Sequence, residues 1–180
     1  MPELHPFMPQ LHPFHWSLLA VGLLLAAVTD VRRRVVPNWV TVGLLFSGLL
    51  ARGLSAGPAA AAWGLAGAAV ALLLLLYPFA RSWIGGGDVK LLAACGAWLG
   101  PLPVLLAVIF SAAAGGAISV GCFLRSPRPV RRRILTNLKV TLMSRSAPAP
   151  DHRPPRLSPP MAPAIAAGTL LVVLDYVLLA

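Results

Sequence analysis

The chain has 180 residues, of which 58% are hydrophobic and only 11% are charged, and its mean hydropathy is +0.80. A soluble domain of this length could not bury so much apolar surface, so the composition excludes a soluble globular protein and indicates an integral membrane protein. Basic residues outnumber acidic ones by 15 to 5, so each acid within an apolar stretch needs an explanation.

Six apolar stretches predict an all-α integral membrane protein, built as a six-helix transmembrane bundle. They are Trp16 to Thr29, Trp39 to Ser55, Ala59 to Ala80, Val89 to Leu99, Pro101 to Leu124 and Met161 to Leu179. Only the third and fifth comfortably reach the roughly 17 to 25 residues that a spanning helix needs. We expect residues 1–15 to form a non-cytosolic segment that is not a cleaved signal peptide, and residues 16–180 to form the membrane domain.

Small residues recur in the third and fifth stretches and predict close helix packing there. They include Gly64, Gly67, Ala71, Ala113, Gly115 and Gly116.

The distribution of basic residues predicts the orientation of the helices. If the amino terminus lies outside the cell, 14 of the 15 basic residues fall in cytosolic segments and Arg52 alone falls on the far side. Basic residues concentrate in cytosolic loops, so this orientation is favoured. The chain then crosses the membrane twice between Asp30 and Asp88, which places both acids at the cytosolic face.

A basic cytosolic loop, residues 125–160, is predicted before the last helix. Its segment Val130 to Met143 has apolar residues four apart among arginines, as in an amphipathic helix that lies on anionic lipid. A solvated charge run that only enforces topology is an equal alternative. Nucleic-acid binding is not expected, because no stacking aromatic residues accompany the charges.

Asp30 and Asp88 are the candidate catalytic residues. Two neighbouring carboxyl groups cannot both ionise easily, so one holds a proton while the other stays charged. The charged member can take a proton from water, and the protonated member can donate to a peptide carbonyl or to the leaving amine. The plainer alternative is that each acid is interfacial and pairs with a nearby arginine.

Residues beside the two acids are candidates for shaping a site or contacting a substrate. We expect Gly85, Gly86 and Gly87 to interrupt any helix and allow close backbone approach. Pro37 and Asn38 read as a helix restart with Asn38 as the cap, and a substrate-contacting amide at Asn38 is a further possibility. The remaining candidates are Arg32 and Lys90. Arg32 could equally be a topology anchor. Lys90 could bind a carboxylate or a lipid phosphate, but the favoured interpretation is that its side chain extends to the membrane surface, where the ammonium is hydrated.

Other reactive residues indicate no further site. Cys95 and Cys122 lie in apolar stretches without a CxxC partner, so we expect packing roles and neither a disulfide nor a zinc cluster. The three amino-terminal histidines are loosely spaced among prolines, and neither a metal nor a cofactor is expected. Asp175 lies toward the outer end of the last stretch, where an interfacial or packing role is favoured.

The two acidic motifs together resemble those of the type IV prepilin peptidases, which are Asp-x-Arg-x-x-x-[Ile/Val]-Pro-Asn and Gly-x-Gly-Asp followed by Lys-Leu. Here they read as Asp30, Arg32, Val36, Pro37 and Asn38, then Gly85, Gly87, Asp88, Lys90 and Leu91. The segments Ala93–Gly100 and Ala162–Gly168 are also similar to the family's patterns.

The resemblance implies an aspartyl endopeptidase of the bacterial inner membrane, which cleaves the basic leader of prepilin-like proteins after a glycine on the cytosolic side. Asp30 and Asp88 correspond to the catalytic pair. The chain lacks the paired CxxC motifs of the larger bifunctional relatives, so we expect no N-methyltransferase activity, and its compact form is similar to the enzymes of tight-adherence (Flp-type) pili. The alternatives are a small proton- or cation-coupled transporter and a nonenzymatic pilus-assembly scaffold.

Overall fold

The computed structural model describes residues 13–132, 134–136 and 160–179, and the regular structure in those ranges is helical throughout. The six long helices in these ranges are α1 (Pro13–Arg33), α2 (Asn38–Ala56), α3 (Pro58–Ala80), α4 (Gly86–Leu99), α5 (Pro101–Arg125) and α6 (Ala162–Leu179). Each corresponds to one of the apolar stretches, so the predicted all-α class is confirmed.

Four of these helices are long and apolar enough to cross a membrane, namely α1, α2, α3 and α5. The protein is therefore a multi-pass membrane protein. Helix α4 has 14 residues and extends only about 21 Å, which is less than the roughly 30 Å of the hydrocarbon core. Helix α6 is also short, with 18 residues.

Prolines and glycines set the breaks between the helices. Pro37 occupies the N-cap position of α2, and Pro58 begins α3, where its missing N–H would have had no helical partner. Gly57 and Gly100 have φ values of +82° and +87°, a left-handed conformation that glycine adopts without strain. The short connections keep consecutive helices beside each other.

Helix α4 is the central element of the core. Every residue from Leu91 to Leu99 is buried, and the helix packs against α2, α3 and α6. The indole N–H of Trp98 donates a hydrogen bond to the Leu44 carbonyl oxygen at 2.8 Å, and its ring lies over Gly48. A helix segment buried on all sides can be uniformly apolar, as residues 91–99 are.

Helices α3 and α4 cross at two glycines. A methyl group added at Gly67 would overlap the Gly96 carbonyl oxygen, and one added at Gly96 would overlap the Gly67 carbonyl oxygen. The predicted close packing is therefore confirmed at Gly67, and Gly64 likewise lies against the Ala97 carbonyl. It is wrong for Gly116, which has no described atom within 4 Å of the position that a side chain would take.

Two other small residues on the predicted list are also packed, while a third is not. Ala71 is fully buried, and Gly115 lies against Met161 and Ala164. Ala113 is exposed at the protein surface, so the prediction of packing at this residue is wrong.

The chain divides into two compact units, Met1–Gly115 with Pro160–Ala180 and Gly116–Pro159. The first unit contains α1 to α4, the greater part of α5 and all of α6. In the second, residues 128–132 and 134–136 are helical, and the Arg131 guanidinium lies 5.7 Å from the centre of the Phe123 ring. The rest of the predicted amphipathic helix lies outside the described residues.

Candidate active site

Asp30 lies in the last turn of α1 and is held by the first residue of α6. Its side chain is only 8% exposed, and its Oδ2 accepts a hydrogen bond from the Ala162 N–H at 2.9 Å. The first N–H groups of a helix have no partner within the helix, so the carboxylate caps α6. Because α1 packs along α6, the contact fixes the acid at a junction of two core helices.

Asp88 lies in the first turn of α4. Gly85 is the N-cap residue of this helix, and its backbone hydrogen-bonds to the Asp88 carboxylate. The same two residues also form the helix-opening bond from the Asp88 N–H to the Gly85 carbonyl oxygen, at 3.1 Å. The bond from the Gly85 backbone to the Asp88 side chain is one half of a capping box, and it orients the acid relative to the helix axis.

The two acids act on each other although 58 positions separate them in the sequence. Asp30 lies close enough to Asp88 for its charge to act on the Asp88 carboxyl. Neither acid is fully exposed, so water screens this interaction less than it would at an open surface. The structure therefore brings together two carboxyl groups that the membrane crossings predicted to share one face.

A hydrogen bond links the flanks of the two acidic motifs. The Lys90 ammonium donates to the Asn38 side-chain oxygen at 3.1 Å. Asn38 is the first residue of α2 and Pro37 is its N-cap, so the prediction that Asn38 caps this helix is wrong. Its amide instead faces α4, on the same side of the bundle as the two acids.

Gly87 and Gly86 lie within α4, because the helix begins at Gly86. The prediction that these glycines interrupt the helix is therefore wrong, and neither has a positive φ. Their role in the structure is close approach, which the sequence did predict. A methyl group at Gly87 would be 3.4 Å from the Val36 Cβ, and one at Gly86 would be 3.3 Å from the Phe79 ring.

Arg32 is exposed in the last turn of α1. Arginine at this position interacts favourably with the carboxyl-terminal end of the helix dipole. Arg34 directly follows the helix, has a φ of +55° and donates its N–H to the Asp30 carbonyl oxygen at 2.8 Å. The arginine run thus terminates α1 immediately after the buried acid.

A cavity of about 90 Å³ opens beside Asp88. Its walls come from α3, α4, α5 and α6 and are apolar apart from Asp88 and Ser111. The acid therefore faces a space large enough for part of another molecule.

Two contributors to the structure were missed from the sequence, one at the site and one at the opposite end of α4. One is the Ala162 N–H, a backbone donor that no side-chain pattern reveals. The other is Arg52, which is only 2% exposed and donates to the Ala60 and Trp98 carbonyl oxygens at 3.1 and 2.7 Å. It satisfies a carbonyl in the last turn of α4, where helical partners are missing.

Within residues 13–132, 134–136 and 160–179, no group of three histidine, cysteine or acidic side chains is arranged to hold a metal ion. Cys95 is buried, as its predicted packing role requires, whereas Cys122 is exposed and the prediction of packing at this residue is wrong. Asp175 is exposed on α6, about 20 Å along that helix from Ala162. His5 and His12 lie outside the described residues.

Residues 17–120 match the model of the type IV leader peptidase family. The chain belongs to this family. The matched region contains both acids and the helices from which they project.

Two curated relatives are similar to part of the chain. A "prepilin leader peptidase/N-methyltransferase" of Legionella pneumophila is 33% identical over 112 residues, which cover 58% of this chain and 39% of the relative. A protein of the same name from Stutzerimonas stutzeri is 35% identical over 117 residues, covering 57% of this chain and 40% of the relative. The chain thus matches about two fifths of the length of these relatives. No solved structure matches the chain significantly.

Proposed function

We propose that this protein is an aspartyl endopeptidase, of the Gly-x-Gly-Asp type, that removes the basic leader of prepilin-like proteins. The observation that carries the proposal is the proximity of Asp30 and Asp88, each held at the end of a core helix, in a member of the type IV leader peptidase family. The printed names of the two relatives support prepilins as the substrate class. Asp30 and Asp88 are the catalytic residues in this proposal.

In the proposed reaction, the ionised acid accepts a proton from a water molecule as the water oxygen bonds to the peptide carbonyl carbon. The protonated acid donates to the carbonyl oxygen. As the carbon–nitrogen bond breaks, the acid that took the proton from water donates it to the leaving amine, and the other acid takes back the proton from the former carbonyl oxygen. The products are a carboxyl-terminated leader and a new amino terminus, with one water consumed. Either acid can begin as the base, because an interacting pair titrates as a unit.

The flanking residues hold this pair in place. The hydrogen bond from Lys90 to Asn38 holds α4 against the start of α2, and Gly87 allows α4 to approach Val36.

The other flanking residues act on one helix end each. Gly85 orients Asp88, and Gly86 leaves space for the Phe79 ring. Pro37 sets the start of α2, and Arg32 lies at the cytosolic end of α1. These are positioning roles that support a fixed distance between the two acids.

We further propose that all six long helices form one membrane bundle, with the amino terminus outside and the site at the cytosolic face of the inner membrane. The bias of basic residues supports this orientation. Helix α4 is short, but its burial among longer helices removes the need to span the hydrocarbon alone. A prepilin would place its apolar helix beside the bundle and its leader in the cytosol.

The proposal includes two narrower points. The basic segment after α5 binds anionic lipid, because Arg128, Arg131 and Arg132 occur on a described helical stretch. The second point is that these 180 residues supply the leader-peptidase activity, and their two cysteines do not form paired CxxC motifs. No nucleic-acid partner is proposed.

The test is cleavage of a purified prepilin, followed by mass spectrometry of both products. We expect Asp30→Asn and Asp88→Asn each to reduce the rate at least about a thousandfold, since either change removes a proton-transfer group. Asp175→Asn is the matched control, because it makes the same chemical change at an exposed position on α6. It should cleave at the rate of the unaltered protein.

Equal cleavage by all four proteins would contradict the assignment of the two acids. Ion flux through proteoliposomes that depends on both acids, without any shortening of the precursor, would instead favour a transporter. A pilus defect rescued by both asparagine variants would favour a nonenzymatic scaffold.

A further inference from the structure

The cavity beside Asp88 has a wall of aliphatic side chains from every helix that surrounds it. Leu75 comes from α3, Leu92 from α4, Val108 and Ala112 from α5 and Ile165 from α6. Such a wall favours an apolar occupant over a charged one, because a charge placed there would lose its hydration without a partner.

The one hydroxyl in the wall already has a partner. Ser111 donates to the Ile165 carbonyl oxygen at 3.5 Å, a bond between α5 and α6. Asp88 is thus the polar group of the wall that remains open to a ligand. An occupant would therefore place an apolar group against the aliphatic wall and a reacting group near this carboxyl.

The cavity spans the start of α4. Ile84, which precedes this helix, and Leu92, about 6 Å beyond Asp88 along it, both line the cavity. A prepilin has a basic leader before the scissile bond and an apolar helix after it. The apolar cavity therefore suits the residue after the scissile bond, whereas the basic leader stays in the cytosol.

The size of the cavity suits a whole side chain. Its volume of about 90 Å³ is several times the roughly 10 to 15 Å³ that one water molecule needs on the same measure. The space is therefore large enough for a branched aliphatic side chain such as that of valine or leucine.

We propose that this cavity is a specificity pocket that binds the aliphatic side chain of the first residue after the scissile bond. The inference rests on the proposed peptidase function and adds a selection rule to it. Substrates with valine or leucine at that position are cleaved faster than those with alanine or aspartate. Ala112, Val108 and Leu92 form the aliphatic wall that contacts this side chain.

The test is a series of prepilins that differ only at this position and carry alanine, valine, leucine, phenylalanine or aspartate. Ala112→Leu narrows the pocket, and the exposure of Ala112 at the protein surface makes the change tolerable for folding. Val108→Ala widens it. Ala113→Leu is the matched control, since the neighbouring residue is exposed and does not line the cavity.

We expect the unaltered protein to prefer valine or leucine over alanine by about tenfold in kcat/KM, the usual effect of one or two methyl groups in an apolar pocket. Ala112→Leu should move the preference toward alanine, and Val108→Ala should move it toward leucine and phenylalanine. Ala113→Leu should keep the original order.

If every substrate is cleaved at one rate and Asp30→Asn loses activity, the specificity-pocket proposal is contradicted and the proposed peptidase function is supported. A preference that neither pocket variant moves would also overturn it. If the unaltered protein cleaves no substrate in the series, the proposed function fails and the pocket fails with it.

Discussion

Asp30 depends on one backbone N–H from a residue 132 positions later in the chain. The bond joins the end of α1 to the start of α6, and a charged carboxylate strengthens it compared with a neutral acceptor. Loss of a bond to a charged group typically costs about 1.5 to 3 kcal/mol. The position of the acid is therefore sensitive to a change at Ala162 that leaves every acidic residue in place.

Replacement of Ala162 by proline should remove this donor and reduce cleavage by about 10- to 100-fold, as that free-energy range implies. Proline is well tolerated at the first position of a helix, so α6 should still form. Ala162→Val is the control, because it adds similar bulk to the buried site and retains the N–H. Equal kcat in the two variants would show that Ala162 does not position Asp30.

At the residue scale, the sequence was sufficient to identify the acids but not their partners. Asp30 and Asp88 stand out because carboxyl groups are rare in apolar stretches, and their motifs predicted that they lie together. The pairing of Lys90 with Asn38 was not predicted, since each side chain had a plausible local role. The contact of Asp30 with Ala162 could not be predicted, because it uses a backbone group.

At the scale of elements, the crossing of α3 and α4 sets how near α4 comes to its neighbours. Gly67 and Gly96 allow backbone contact at this crossing, and Trp98 fills the space over Gly48 on the α2 side. Asp88 is carried by α4, so any shift of this helix moves the acid.

Gly67→Ala and Gly96→Ala should each destabilise the protein by about 1 to 3 kcal/mol, because the added methyl group overlaps rigid backbone. Gly43→Ala, which has no described atom within 4 Å of the new methyl group, is the control and should be neutral or stabilising by up to about 1 kcal/mol. Thermal unfolding in detergent checks this. A Tm of Gly67→Ala equal to that of Gly43→Ala would contradict the close crossing.

Helix positions followed well from the sequence, because apolar runs and the prolines between them mark where helices can form. The central position of α4 in the core was not predicted from the sequence. Its apolar composition suits either a spanning helix or a buried one, and only tertiary contacts distinguish them. Arg52 was expected in an outer segment, yet its hydrogen bonds to carbonyl groups allow it to be buried.

At the scale of the whole molecule, the proposed orientation requires the two faces of the membrane to contact different connections. The connection between α2 and α3 contains Gly57 and should face outward, whereas Ser126, directly after α5, should face the cytosol. The basic residues that follow Ser126 strongly favour that side.

Single cysteines introduced by Ser55→Cys and Ser126→Cys should report this arrangement in a background where Cys95 and Cys122 are replaced. A membrane-impermeant thiol reagent added to intact cells should label the first variant. It should label the second only after the membrane is opened. The reverse pattern would place the acids on the outer face and contradict cleavage in the cytosol.

The central claim is that Asp30 and Asp88 act on one water molecule as a unit. The measurement that tests it most directly is kcat for the Asp30→Asn and Asp88→Asn double variant beside the two single variants. Residues that act as a unit give non-additive losses, so the double variant should be no slower than the slower single variant. A double loss equal to the product of the two single losses would contradict the account.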